Sequence, residues 1–359
     1  MRFVLKKISI ILFFLGLTLL IGGAVWVGMD SIVQSFSSVG IKGLLILSSW
    51  QVIVILLLSY AWHVICPDIG MLRLIWARFL RESAATCLPF SQVGGILLSI
   101  RAVCFKGYRY IKNPKDLSIA HAVSSNIVDI TTETLGQIVF IIVGICFLII
   151  GQYHETLQNI TVPGTKLNLK WFIIIGIFFL LIGSISLIWS QRQGSALIKK
   201  LVNFLSKNIA QQWEDQVNAN ADSFQNSINQ IWSNPKNVLL SCIIHLIGWL
   251  AGAVGTWLCY KFLGASINIQ EAVIIEAFVC VALSIGFLVP ASVGIQEGAY
   301  VLLGSIFGID PHLSFSLSLL RRARDILIGV PTLLLWQITE IHYLNKYSKN
   351  KKIVDPSSE

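Results

Sequence analysis

Apolar residues run along this chain in long blocks, and a helix that crosses a bilayer needs about 20 of them. Unbroken blocks at residues 8–29, 43–66, 171–189 and 237–260 predict four simple spans. Two longer blocks, 117–150 and 313–344, predict crossing helices with polar residues along one side. Two further segments do not fit a simple span. About 83–105 reads SAATCLPFSQVGGILLSIRAVCF, and about 270–308 has Pro290 in its middle. A proline followed by glycines removes intrahelical hydrogen bonds where the helix should continue. Pro89, Gly94 and Gly95 mark one hinge, and Pro290, Gly294 and Gly298 the other. Both segments are expected to be re-entrant helical hairpins, each returning to the side it entered from. The expected fold is an all-α polytopic transmembrane helical bundle.

Charge orients the pattern. Lys and Arg number 27 against 18 Asp and Glu, and a positive excess marks cytoplasmic loops. Arg2, Lys6 and Lys7 place the N-terminus inside. The apolar run behind them reaches about Met29, too long for a signal peptide, and reads as the first span. Arg73, Arg78 and Arg81 precede the first broken segment, and Arg101, Lys106, Arg109, Lys112 and Lys115 follow it, so both its ends are expected inside. The linker 191–236 and the tail 346–359 also carry bases and are expected inside. The apolar spacing of Leu197, Leu201, Phe204 and Leu205 in the linker fits helices at the cytoplasmic surface, or a plain connector.

The count of crossings closes only if the second hairpin enters from outside. The chain then divides into a first membrane half, 1–150, and a second, 170–345, of opposite orientation. Leu88-Pro89 before Gly94-Gly95 echoes Val289-Pro290 before Gly294, and Asp129-Ile130 echoes Asp325-Ile326. Inverted repeats with broken helices at matching positions place a substrate site where the halves meet.

Composition narrows the class. The chain is 55% hydrophobic and 13% charged, against about 25% charged in soluble domains. Nothing calls for nucleic acid. Its seven cysteines show no CxxC pair and no Cys/His spacing typical of zinc, so neither metal nor cofactor is expected. No G-x-S-x-G, HExxH or phosphate-cradling glycine loop is present, and no enzyme activity is expected.

The candidate chemistry lies in the two long helices. Each charge at the centre of a bilayer helix costs ~2.5–3.5 kcal/mol on insertion scales, so charges there face protein or a wet cavity. His121, Ser125, Asp129, Glu133 and Gln137 recur at i, i+4 and form a polar stripe. The stripe fits the wall of a polar path or a helix seam whose polar groups satisfy one another. Arg321, Arg322, Arg324 and Asp325 interrupt the last helix. An Arg321–Asp325 pair at i, i+4 would leave positive charge over for an anionic head group, with Arg322 snorkelling to the interface. Gln296 and Glu297 start the second arm of the second hairpin, where Glu297 fits an N-terminal cap or a partner for the arginines. Arg101 closes the first hairpin as its counterpart or as an interfacial anchor.

The stretch VPASVGIQEGAY…SLLRRARDILIGVPTLLLWQ resembles the C-terminal half of the lysylphosphatidylglycerol-synthase membrane-region superfamily, and LPFSQVGGILLSIRAVCFKG resembles its first-half motif. Within that superfamily the likeness is to the hopanoid-biosynthesis-associated HpnL-type proteins. The positions that match are Pro290, Gly294, Glu297, Arg321, Arg322, Arg324 and Asp325. Ala291-Ser292 departs from the glycine expected after Pro290, which implies a stiffer hairpin tip. The resemblance implies a multi-pass bacterial inner-membrane protein that moves or handles lipids, with membrane lipids and lipid-biosynthesis enzymes as partners. It does not extend to aminoacyl transfer, because the soluble transferase is absent from these residues. A membrane-embedded enzyme or assembly factor for polyprenyl or hopanoid lipids, and a secondary transporter of a small anion, stand as alternatives.

A topological prediction follows from the charge distribution. A single cysteine introduced beside Asp310 should react with impermeant thiol reagents only from outside the cell. Labelling there only from the cytoplasm would overturn the inverted repeat.

Overall fold

The computed structural model describes residues 29–87, 91–104, 119–150, 211–285 and 292–354, with scattered helical positions between 178 and 189. All of the 8–29 block except Met29 lies outside the described residues, as do both hinge prolines, Pro89 and Pro290, and most of 171–189. All the regular structure described is helical. In chain order the helices are α1 (Met29–Ile65), α2 (Met71–Cys87), α3 (Ser91–Cys104), α4 (Ile119–Ile150), α5 (Gln211–Trp232), α6 (Pro235–Phe262), α7 (Ile269–Ile285), α8 (Ile295–Ile306) and α9 (Pro311–Val354).

Among the described residues, three helical segments are long and apolar enough to cross a membrane: Ser37–Ile65, Ile119–Ile150 and Pro235–Phe262. The 43–66 block thus belongs to a longer helix, bent where Gly40 takes φ 61°. The last helix runs on to Val354, past the 313–344 block and into the residues read as a tail. At 44 residues it is about 66 Å long, twice the depth of a hydrocarbon core.

Local chemistry sets the helix ends. Asn234 caps α6 by accepting from the Asn237 N–H at 3.3 Å, with Pro235 in the first turn, where its missing N–H costs nothing. Asn268 and Glu271 form a reciprocal capping box at α7, each backbone N–H donating 2.9 Å to the other's side chain. Gly294 begins α8 at φ 82°, a conformation that favours glycine.

Each broken segment contributes two described helices, α2 and α3 in the first and α7 and α8 in the second, so the first extends beyond the 83–105 block. Gly94 and Gly95 lie inside α3, so they are not the hinge. Gly95 instead lets α2 and α3 approach closely, since a Cβ there would sit 2.6 Å from the Arg81 carbonyl oxygen. Gly298 is likewise interior to α8.

The packing has an internal correspondence. Exchanging α1 with α6, α2 with α7, α3 with α8 and α4 with α9 carries every closely packed pair among these eight helices onto another packed pair. Thus α4 on α7 matches α9 on α2. Each of those crossings is close at a glycine. A Cβ on Gly144 would meet the Ala277 Cβ at 2.5 Å, and one on Gly329 would meet Cys87 Sγ at 2.7 Å. Helices in lipid associate through such close approaches, because burying apolar surface gains little there. Helix α5 stands outside the correspondence. It docks on α4, with Ile228 and Ile231 in one buried cluster with Val128 and Leu74, while Asp222, Asn226 and Gln230 are exposed; Leu197, Leu201, Phe204 and Leu205 lie outside the described residues.

Gly144→Val and Gly329→Val should each destabilise the protein by about 1–3 kcal/mol through overpacking. Gly298→Ala should be neutral or mildly stabilising, since nothing lies within 4 Å of its Cβ position. Thermal unfolding in detergent ranks the three variants.

Candidate functional site

Two ion-pair networks sit at the centre of the bundle. The first joins α2 to α4. Arg78 and Arg81 lie one helical turn apart on α2, as Asp129 and Glu133 do on α4, so two cations face two anions at matching rise. Arg78 donates to Asp129 Oδ2 at 3.1 Å and to Glu133 Oε1 at 2.5 Å. Arg81 donates to Asp129 Oδ2 at 2.8 Å and to Glu133 Oε2 at 2.5 Å. Glu82 adds a third carboxylate, 2.9 Å from Arg78 Nε. Arg78 and Asp129 are wholly buried. His245 Nε2 on α6 lies 3.2 Å from Asp129 Oδ1, and the Arg81 guanidinium lies over the Trp62 ring at 5.7 Å.

The second network joins α7 to α9. Glu276 on α7 receives Arg321 Nη1 at 2.8 Å, Thr256 Oγ1 at 2.6 Å and Tyr300 Oη at 2.6 Å. One carboxylate is thereby held by helices α6, α7, α8 and α9. Arg324 Nη2 lies 2.7 Å from Asp325 Oδ1. Beside them Arg322 Nε donates to Glu297 Oε1 at 2.5 Å, while Glu297 Oε2 accepts the Gly294 N–H at 2.7 Å and so caps α8. Gln296 donates to Ser318 Oγ at 2.9 Å.

Between the networks lies a cavity of about 270 Å³. Its walls come from α1, α2, α4, α6, α7 and α9, which are three pairs of corresponding helices. Charged groups lining it are Arg78, Glu82, Glu133, Glu276, Arg321, Arg324 and Asp325. The cavity has room for several waters or a small polar group beside its charged walls.

Of the residues singled out by sequence, Glu133, Arg321, Arg324 and Asp325 do meet in one space. Asp129 stands behind that wall, under Arg78 and Arg81. Glu297 and Arg322 form a neighbouring pair that is not among the lining residues, and Arg101 pairs with Glu340 of α9 at 2.6 Å, 47% exposed. Three expectations are corrected. Arg321 takes Glu276 as its close partner, because Asp325 is held by Arg324. Arg322 does not snorkel, because Glu297 holds it inside. The cavity is not left positive, since three arginines face four carboxylates.

The residues that sequence reading missed are Arg78, Arg81, Glu82, Glu276 and His245. Arg73, Arg78 and Arg81 look like loop bases that set topology, but all three are buried, and Arg73 donates to the Val103 carbonyl at 3.2 Å. Glu276 had a signal: a lone acid in the apolar run AVIIEAFVCVA must find a cation.

Glu276→Leu strands Arg321 and should lower stability by on the order of 3–5 kcal/mol, the usual result of removing one partner of a buried pair. Glu276→Leu combined with Arg321→Met should lose less than the single substitution. Melting of the purified single and double variants measures the coupling.

The family model for the lysylphosphatidylglycerol synthase TM region matches residues 12–331, which takes in both networks and the cavity. None of the curated proteins and none of the solved structures matches this chain. Membrane-length helices, two charged networks sealed within them and a match over most of the sequence converge, and the chain belongs to the lysylphosphatidylglycerol synthase TM region family.

Proposed function

We propose that this protein is a flippase-like lipid transporter that passes a polar head group through the central cavity while the acyl chains stay in the bilayer. The observation that carries this reading is the cavity itself: a chamber lined by charged side chains of both signs beside apolar ones such as Val54, Ile55 and Leu58, and walled by corresponding helices of two halves. Apolar residues face outward on the same helices, among them Ile326, Leu327, Val330, Leu334 and Leu335 on α9 just beyond the charged cluster. A head group inside and tails outside need this division of surfaces. Family membership supports lipid handling in general; the resemblance to HpnL-type proteins supports a hopanoid-related lipid within that class. An anionic or aminoacylated head group fits the paired charges, which offer both cations and carboxylates.

The reading has further parts. The halves are inverted, with the broken segments α2–α3 and α7–α8 as re-entrant hairpins entering from opposite sides. The protein sits in a bacterial inner membrane with both termini cytoplasmic, and works without catalysing a reaction. Its partners are membrane lipids and the enzymes that make them. In this mechanism the head group exchanges places with internal partners. A phosphate takes the fork of Arg321 or Arg324, which suits two oxygens at once, and an amine takes Glu133 or Glu276.

The test is transbilayer movement in proteoliposomes of phosphatidylethanolamine and phosphatidylglycerol carrying head-group-labelled tracers of each type. Wild-type protein should speed movement of at least one tracer. Arg324→Gln should reduce that rate at least tenfold, equivalent to ~1.4 kcal/mol in the barrier, with folding and abundance retained. Arg101→Gln should leave it unchanged. Equal rates with wild type, Arg324→Gln and empty vesicles would overturn the proposal.

A further inference from the structure

The turn between α1 and α2 carries chemistry that the cavity does not use. Cys66 and Asp68 on that turn, and His121 near the start of α4, offer a thiol, a carboxylate and an imidazole whose ligand atoms all lie within 4.8 Å of one another. Asp68 Oδ2 is 2.8 Å from His121 Nε2. His121 is far in sequence from the closely spaced Cys66 and Asp68, which is why no ligand spacing announces the set.

The turn is held in place by its own hydrogen bonds. The Ile69 N–H donates to the Cys66 carbonyl at 3.1 Å, and Arg73 and Leu74 both donate to the Gly70 carbonyl. Pro67 fixes its own φ between the two ligands. His63 Nδ1 lies 3.0 Å from the Ile69 carbonyl oxygen. A chelate set in this way loses little conformational freedom on binding. Burial is graded across the cluster: Cys66 is 1% exposed, the His121 side chain 16% and the Asp68 side chain 44%. The sulfur end is closed and the carboxylate end is open.

We propose that Cys66, Asp68 and His121 form a binding site for a single zinc ion, with the fourth position open on the Asp68 side. Zinc accepts this mixture of donors, at about 2.3 Å to sulfur and about 2.0–2.2 Å to nitrogen and oxygen, and ligands of one tetrahedral ion then stand roughly 3.5 Å apart. The observed spread needs only small side-chain shifts to reach that spacing. A thiolate ligand disfavours magnesium and calcium, which take oxygen. Three protein ligands with one open place is the zinc arrangement that keeps a water or exchangeable group. The ion ties the start of α4, which bears Asp129 and Glu133, to the turn that leads into α2, which bears Arg78 and Arg81. It clamps the two elements that the first ion network joins. The site does not depend on the transport reading.

Cobalt replaces zinc as a visible probe. The full chain, purified in detergent and stripped with chelator, should bind one equivalent of Co²⁺ with a near-ultraviolet sulfur-to-cobalt charge-transfer band, and Zn²⁺ should abolish the band. Cys66→Ser should remove it. A variant keeping Cys66 while Cys87, Cys104, Cys146, Cys242, Cys259 and Cys280 become alanine should retain it. Asp68→Asn, at the exposed end and harmless to folding, should weaken binding at least about tenfold, since even outer-shell changes at metal sites cost that much. His121→Ala should do the same. No sulfur band in the wild type, or a band that survives Cys66→Ser, would overturn the site.

Discussion

A guanidinium sealed among apolar helices must be given a carboxylate, and the centre of this protein is organised by that requirement. Desolvating an ion costs several kcal/mol, recovered only through close pairing and full hydrogen bonding. Arg78, Arg81 and Arg321 meet this with carboxylates of other helices, and Arg322 with Glu297. The helices so joined, α2 with α4 and α7 with α9, are not among the closely packed pairs. Their side chains reach across a space, and that space includes the cavity. The same pairing that stabilises the bundle therefore keeps its middle open and polar.

The two halves solve the problem with opposite signs. In the first, the bases Arg78 and Arg81 sit on α2 and their partners Asp129 and Glu133 on the long helix α4. In the second, the acid Glu276 sits on α7 and its partner Arg321 on the long helix α9. Since α9 packs on α2 and α4 packs on α7, each long helix carries its charges past a helix of the other half. Bases of α2 and α9 are then neighbours in one packed pair, and acids of α4 and α7 in the other. Each half closes its own ion pairs, α2 with α4 in the first and α7 with α9 in the second, and Glu82 and Asp325 add pairs within α2 and α9.

Much of this architecture was legible in sequence, and the limits were physical. Apolar run length marked α1, α4 and α6, because the bilayer imposes that length. The charged stretch of α9 and the acids of α4 stood out, because charge in such runs requires a protein or wet environment. Partner choice was not legible. Asp325 was the nearest acid to Arg321 along the helix, but tertiary packing brings Glu276 to it, and sequence distance carries no information about that. The bases of α2 were misread for a related reason: a buried arginine and a loop arginine look alike until the helix that covers them is known. Gly95 and Gly298 illustrate a third limit. A glycine marks a hinge, a close approach or neither, and only the neighbour's position decides.

The balance of charge in the cavity constrains how any head group could use it. An unpaired cation would bind an anion tightly and release it slowly, whereas paired groups bind only what they can exchange. On the proposed transport reading, an entering phosphate would displace a carboxylate from an arginine, and the displaced carboxylate would then need water or a ligand cation. Each exchange trades one charge-assisted pair for another, so the bound and empty states differ by the small imbalance between large terms. Transport favours such a site, because a substrate must leave as readily as it arrives. The i, i+1 pair of Arg324 and Asp325 is the easiest to exchange. Its partners are neighbours on one helix, Asp325 is a quarter exposed to the cavity side of α9, and opening the pair separates no helices. The Arg78–Asp129 contact is the hardest, being wholly buried and braced by Arg81 and His245. The centre of the protein thus grades from a fixed ionic layer at α2 and α4 to a labile one on α9.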